Sequence, residues 1–316
     1  MEWILLIAGL AALILGAEGL VRGGVGLARR LGVSPALIGV TIVSWGTSTP
    51  ELVVSVDAAL KGIDGIAVGN VVGSNIANVL LILGLAAAIA PIAVDPRAVR
   101  RDVLASLGAA ALFVGVALTA PFLSLWHGLA FLGLLAALTL GTWLHDRANG
   151  APSAALHAAE AEEVGRVPVH PALAVAMVLG GVGLLVLGAH LLVEAAVTLA
   201  RGFGVSEVVI GLTLVALGTS LPELVTSLVA ALRRHSDVAL GNVLGSNVYN
   251  VLAILGVASL VAPVSIPPAI AATDMWVMLA AAAAVLPAML DGKVGRPLAL
   301  AMLAGYAAYI GLLVRG

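Results

Sequence analysis

The sequence has no cysteine. Disulfides, thiolate metal sites and thiol redox chemistry are therefore excluded. Charge is scarce as well. Charged residues make up 10% of the chain, where a soluble domain carries about 25%. The net charge is −2, so no basic surface points to nucleic acid. There is no Walker sequence, which argues against ATP binding by this chain. Met1-Glu2-Trp3 lacks a basic n-region and leads straight into a long apolar run. No cleavable signal peptide is expected.

What the chain has in abundance is apolar residues, at 61% of the total. They come in runs of roughly 20, the length that crosses a bilayer core of about 30 Å. About ten spans are expected, near 3–27, 34–60, 65–90, 100–119, 122–144, 171–199, 206–232, 238–262, 273–290 and 296–314. The fold class is an all-α polytopic membrane protein, multi-pass in the plasma or inner membrane of the cell. One long polar stretch, 145–170, contains Pro152, Glu160, Glu162, Glu163 and Arg166. It reads as a linker, too short to hold a folded regulatory domain.

The linker divides the chain into two copies of one pattern. The first copy of the motif covers 32–78. Its cores are Gly46-Thr47-Ser48-Thr49-Pro50-Glu51 and Gly69-Asn70-Val71-Val72-Gly73-Ser74-Asn75-Ile76-Ala77-Asn78. The second covers 204–250, with Gly218-Thr219-Ser220-Leu221-Pro222-Glu223 and Gly241-Asn242-Val243-Leu244-Gly245-Ser246-Asn247-Val248-Tyr249-Asn250. A constant offset of 172 relates Glu51 to Glu223, and also Gly16 to Gly188, Pro91 to Pro263 and Asp102 to Asp274. More than half of the motif positions are identical without a gap, which a duplication explains. The expected halves are 1–144 and 171–316, joined by 145–170.

Each half holds about five spans. An odd number sends the second half into the membrane from the opposite side. The basic residues agree. Loops after spans 1, 3, 5, 7 and 9 hold Arg22, Arg29, Arg30, Arg97, Arg100, Arg101, Arg147, Arg166, Arg233, Arg234, Lys293 and Arg296. The other side holds Lys61, Arg201 and Arg315. Basic residues mark the cytoplasmic side, so the linker is expected inside and both termini outside. Two inverted five-helix repeats are a transporter signature, with the site near the midplane where they meet.

Glu51 and Glu223 fall near the middle of their spans, where a carboxylate costs about 2.5–3.5 kcal/mol. Each is expected to face a cation or a partner. Pro50 and Pro222 have no N–H and clash with the carbonyl four residues back. They free carbonyls near Gly46 and Gly218, which membrane depth tolerates only inside protein or along a cavity. Thr47 and Glu51 are four apart, as are Ser44 and Ser48, so these polar groups fall on adjoining helix stripes. Ser74 and Asn78 share a face, as do Ser246 and Asn250. They are read as ligands, whereas Asn70, Asn75, Asn242 and Asn247 are read as backbone braces. Oxygen donors alone suit hard cations. Calcium takes about six to eight oxygens in flexible geometry, and sodium is also oxygen-seeking. The donor chemistry says Ca2+, Na+ or both, and does not rank them. Glu18 and Arg22, and Asp57 and Lys61, are i,i+4 pairs near span ends; Glu18 also aligns with His190 and reads as an interhelical contact rather than a ligand. Asp102 and Asp274 fit helix N-termini, where the dipole favours them.

Gly-Thr-Ser-x-Pro-Glu followed by Gly-Asn-x-x-Gly-Ser-Asn, present twice, resembles the paired alpha repeats of the cation/calcium exchanger superfamily, and most of all its prokaryotic sodium/calcium exchanger branch. The likeness extends over almost the whole chain. It implies two inverted five-helix repeats with spans 2, 3, 7 and 8 around the ions. Glu51 and Glu223 would be shared by calcium and sodium. Thr47, Ser48, Thr219 and Ser220 would supply hydroxyl or carbonyl oxygens, and Ser74 and Ser246 would serve flanking sodium sites. Ser44 and Ala216 would contribute backbone carbonyls. The pattern departs from many relatives at Asn250, where they carry aspartate, which argues against potassium dependence.

The expected function is therefore a secondary antiporter that exchanges Ca2+ for Na+ by alternating access. It is not an enzyme and needs no cofactor; the ions are its cargo and the lipid bilayer its surroundings. A monomer is the expected unit. Proton/calcium antiport on the same site is the alternative, and a cation channel a further one. Because the resemblance gives Ser44 a backbone role, Ser44→Ala is expected to leave calcium uptake by reconstituted vesicles unchanged.

Overall fold

The computed structural model describes residues 2–30, 44–149, 170–232 and 236–315. Helix α1 covers Glu2–Arg30. Helices α2 (Ser44–Thr47) and α3 (Thr49–Leu60) follow. α4 (Asp64–Ile76) continues through a π-helical stretch, Ala77–Leu83, into α5 (Gly84–Ile89) as one span. Then come α6 (Pro96–Thr119) and α7 (Leu125–Asn149). The second part begins with α8 (Pro171–Phe203). After it α9 (Glu207–Ile210), a π stretch Gly211–Val215 and α10 (Ala216–Thr219) lead into α11 (Leu221–Leu232). α12 (Ser236–Tyr249), π-helical Asn250–Ile254 and α13 (Leu255–Val261) form the next span. A π stretch at Ile270–Asp274 precedes α14 (Met275–Ala283) and α15 (Leu286–Asp291), and α16 covers Arg296–Arg315.

Among the described residues eight helices are long and apolar enough to cross a membrane. The bent pair Glu207–Thr219 and Leu221–Leu232, which meet at 50°, together have the length and apolar composition of a ninth. The tenth expected span, 34–60, is described only from residue 44 onward. Large apolar side chains such as Ile4, Leu15, Leu179 and Leu312 point outward. Such a surface suits hydrocarbon, because each helix satisfies its own backbone hydrogen bonds.

Local signals set the helix ends. Asp95 caps α6 by accepting from the Arg97 N–H at 2.9 Å, with Pro96 in the first turn. Both are favoured there, since proline lacks an N–H that would go unpaired anyway. Asp102, expected at a helix start, therefore sits well inside α6. Its counterpart Asp274 is no cap either. It is buried between helices and accepts from the Tyr309 hydroxyl at 2.9 Å. The linker expected at 145–170 begins later than its apparent composition suggests, because α7 runs to Asn149; residues 150–169 lie outside the described residues.

α4 is the centre of the molecule. Every residue from Ile66 to Ile76 is buried. One side packs on α9 and the π stretch after it, another on α3, another on α14. α1 and α8 lie against each other along their length. Their contacts are reciprocal. A Cβ on Gly9 would meet the Gly188 carbonyl at 2.9 Å, and one on Gly16 would meet the Gly181 carbonyl at 2.8 Å. The offset of 172 turns Gly9 into Gly181 and Gly16 into Gly188, so each contact maps onto the other. Small residues let the two backbones approach.

Two short antiparallel ladders join the parts at the helix ends, an addition to the all-α expectation. β1 (Ile92–Ala93) pairs with β4 (Lys293–Val294), with Ile92 opposite Val294. β2 (Phe122–Leu123) pairs with β3 (Val264–Ser265), with Leu123 opposite Val264. The first ladder extends through the Val94 N–H to the Gly292 carbonyl at 2.9 Å. Gly292 has φ +69, and a Cβ there would come 2.8 Å from the Val94 oxygen, so glycine is needed on both counts.

Gly16→Val places its branch against the backbone of α8, whereas a Cβ on Gly183 meets nothing within 4 Å. Gly16→Val is expected to cost about 1–3 kcal/mol by overpacking and Gly183→Val far less. Thermal melting of the two variants in the same detergent checks this; equal melting temperatures would contradict the close crossing.

Candidate ion-binding site

The site grows out of two interrupted helices. α3 starts after a turn at Ser48 (φ −87, ψ 7), and α11 after a turn at Ser220 (φ −81, ψ 10). Each interruption lies two residues before the proline that cannot donate to the carbonyl four back. Helical pairing resumes with the Leu52 N–H on the Ser48 carbonyl at 3.1 Å and the Leu224 N–H on the Ser220 carbonyl at 3.0 Å. Glu51 and Glu223 lie in the first turns beyond, each 1% exposed. Because the helix breaks at Ser48, Thr47 and Glu51 do not form the continuous stripe that their spacing suggested.

The turns aim each serine at the other half. Ser220 Oγ donates to Glu51 Oε1 at 2.9 Å and lies 3.1 Å from Ser74 Oγ. Ser48 Oγ donates to Glu223 Oε1 at 3.1 Å and lies 3.2 Å from Ser246 Oγ. Ser74 Oγ also reaches the Ala216 carbonyl at 3.4 Å. Thr219 donates to Asn70 Oδ1 at 3.0 Å. Thr47 is half-buried at the end of α2. Ser44 opens α2, and its side chain lies outside the described residues.

Ser74 and Asn78, like Ser246 and Asn250, sit near the middle of the spans Asp64–Ile89 and Val238–Val261. Asn78 lies in a π-helical stretch and Asn250 opens one. A π turn accommodates one extra residue, turns the side chains around it, and recurs at functional sites. Around these groups, among the described residues, four buried acceptors have no hydrogen-bond partner: Glu51 Oε2, Glu223 Oε2, Asn78 Oδ1 and Asn250 Oδ1. Among the described residues neither glutamate has a salt-bridge partner. No group of three or more His, Asp or Glu comes together there either. The charge of the site is that of two carboxylates. Its open donors are oxygens, which suit a hard cation.

The family described as sodium/calcium exchanger protein matches residues 1–144 and 173–315. The chain belongs to the sodium/calcium exchanger family. It is a multi-pass membrane transporter of the cation/calcium exchange type. It is 40% identical to CaxA of Alkalimonas amylolytica over 90% of this chain and 88% of that one. It is 32% identical to the sodium/calcium exchanger MaX1 of Methanosarcina acetivorans, covering 84% of each. A structure of the sodium-calcium exchanger NCX_Mj, soaked with Na+ and Sr2+, superposes with a TM-score of 0.63 at 30% identity. That match covers 98% of this chain and 97% of that one.

Several exchanger residues do more than the sequence suggested. Asn70 donates to the Glu51 carbonyl at 3.2 Å and to Ser55 Oγ at 3.0 Å. Asn242 does the same for the Glu223 carbonyl at 3.3 Å and Ser227 Oγ at 2.9 Å. Ser55 and Ser227 were not singled out, although the 172 offset links them. Glu18 pairs with Arg22 one turn on in its own helix, as their i,i+4 spacing suggested, and not with another helix. His190 instead meets Lys61 Nζ at 3.0 Å.

Asn70 is fully buried and also accepts from Thr219, whereas Asn242 is partly buried. Asn70→Ala is expected to lower stability by about 1–3 kcal/mol, the cost of stranding buried polar groups, and by more than Asn242→Ala. Thermal unfolding in detergent measures both; a larger loss in Asn242→Ala would contradict this bracing.

Proposed function

We propose that the protein is a secondary antiporter that exchanges Ca2+ for Na+ by alternating access across the cell membrane, with the ions held between Glu51 and Glu223. The observation that carries this is the set of four buried acceptor oxygens without partners, one carboxylate and one amide from each half. A buried acceptor left unpaired costs about 1–3 kcal/mol. Two carboxylate and two amide oxygens, buried and left over in this way, describe a cage for a cation. One calcium ion, or two sodium ions, neutralises the pair. Ser48, Ser220, Thr47, Thr219, Ser74, Ser246, Asn78 and Asn250 would complete the shell, with backbone carbonyls from Ser44 and Ala216.

The division into inverted repeats 1–144 and 171–316, with 145–170 cytoplasmic and both termini outside, belongs to the same proposal. Two patterns support it. Contacts exchange under the 172 offset, as in Ser48 with Glu223 against Ser220 with Glu51. The ladders also join loops assigned to the same side: 92–93 with 293–294 inside, 122–123 with 264–265 outside. Antiport follows from charge. An empty site leaves two carboxylates at membrane depth, a barrier to crossing unloaded. α1 and α8 would move as a pair against the rest, opening the site to either side in turn. The relatives named for sodium/calcium exchange support the choice of ions.

Radiolabelled calcium uptake into sodium-loaded vesicles tests the proposal, with external sodium replaced by choline at constant pH. Uptake should require the outward sodium gradient and be abolished by Glu51→Gln and by Glu223→Gln, both still folded. Uptake driven by a pH gradient without sodium would move the coupling to protons. Uptake indifferent to both gradients would describe a channel and sink the antiporter.

A further inference from the structure

Four asparagines form a closed relay beside the site. Asn75 Nδ2 donates to the backbone carbonyl of Asn247 at 3.3 Å. A carbonyl only accepts, so this bond fixes which end of the Asn75 amide is nitrogen. Asn75 Oδ1 then faces the other way, where it accepts from Asn250 Nδ2 at 2.9 Å. That contact commits the nitrogen of Asn250 to Asn75. The Asn250 oxygen is left on the opposite side, buried and without a protein donor. The second half repeats the sequence of contacts. Asn247 Nδ2 donates to the Asn75 carbonyl at 3.5 Å, and Asn247 Oδ1 accepts from Asn78 Nδ2 at 3.0 Å. Asn78 Oδ1 is left buried and unpaired in turn.

We propose that Asn75 and Asn247 are positioning residues that hold the carboxamides of Asn250 and Asn78 with oxygen toward the ion. The proposal rests on the assignment of the Glu51–Glu223 region as the cation site. An amide has nearly the same shape when turned by half a turn, but the turned group offers N–H donors. Donors repel a cation. A free asparagine in this place would therefore be a poor ligand for part of the time. The relay removes that freedom, and its ultimate reference is the peptide backbone, which cannot turn. The coupling is crossed: Asn75 serves Asn250 and Asn247 serves Asn78. Each residue that sets an oxygen stands on the other half of the chain. Asn75 and Asn247 are each 3% exposed.

The test is equilibrium binding of radiolabelled calcium to the purified full-length protein in detergent, read as a dissociation constant. Asn75→Leu should weaken binding about tenfold, within the range of couplings between residues in contact. In an Asn250→Ala background the same change should weaken it by less than about twofold, because the amide it orients is gone. In an Asn78→Ala background the tenfold effect should persist. Asn247→Leu should show the mirror pattern, coupled to Asn78→Ala and indifferent to Asn250→Ala. It also carries the test if Asn75→Leu does not fold. A brace that merely held the helices together would not distinguish these backgrounds. Equal effects in every background, coupling within one half, or no effect of either leucine would overturn the relay. Wild-type protein that binds no calcium, or undiminished binding by Glu51→Gln, would overturn the site itself and the relay with it.

Discussion

Two carboxylates lie in the buried interior of a membrane protein, and among the described residues no cationic side chain pairs with either. The rest of the structure depends on that imbalance. A carboxylate at bilayer depth is costly, and a polar brace cannot remove its charge. Hydroxyls donate to one oxygen of each glutamate and leave the other bare. The enclosed helix α4, the glycine contacts and the interrupted helices all serve to keep these groups together and away from lipid. The charge is then available to something that comes and goes.

The duplication was legible because it is written in identities at a constant offset. So were the prolines, the glutamates and the span limits, since apolar length and missing N–H groups act locally. What could not be read was which copy serves which. Ser48 and Glu51 are neighbours in sequence, and a continuous helix would align them on adjoining stripes. The turns at Ser48 and Ser220 point each serine at the opposite glutamate instead. Two identical motifs have identical local chemistry, so nothing in either one says that its partner is the other.

Other features escaped for similar reasons. The π stretches at Asn78 and Asn250 leave no mark on composition, because they depend on how neighbouring helices pack. Asp102 resembled a cap because it stands near the start of an apolar run, but Asp95 followed by proline is the stronger stop and start signal. Asp274 shares the offset with Asp102 yet is buried against Tyr309. Equivalent positions in a duplicated chain thus need not share an environment. Asn75 and Asn247 looked like backbone braces, and they are; their side-chain oxygens point onward to Asn250 and Asn78.

The crossed contacts also order the making of the protein in time. Glu51 receives its hydroxyl from Ser220, 169 residues further along the chain. Until the ribosome has delivered that residue, the first carboxylate waits in the membrane without the donor it has in the finished molecule. Glu223 in turn takes one of its hydroxyls from Ser48 of the first half and one from Ser246 of its own. The cluster of serines and glutamates is complete only when the second motif has come in beside the first.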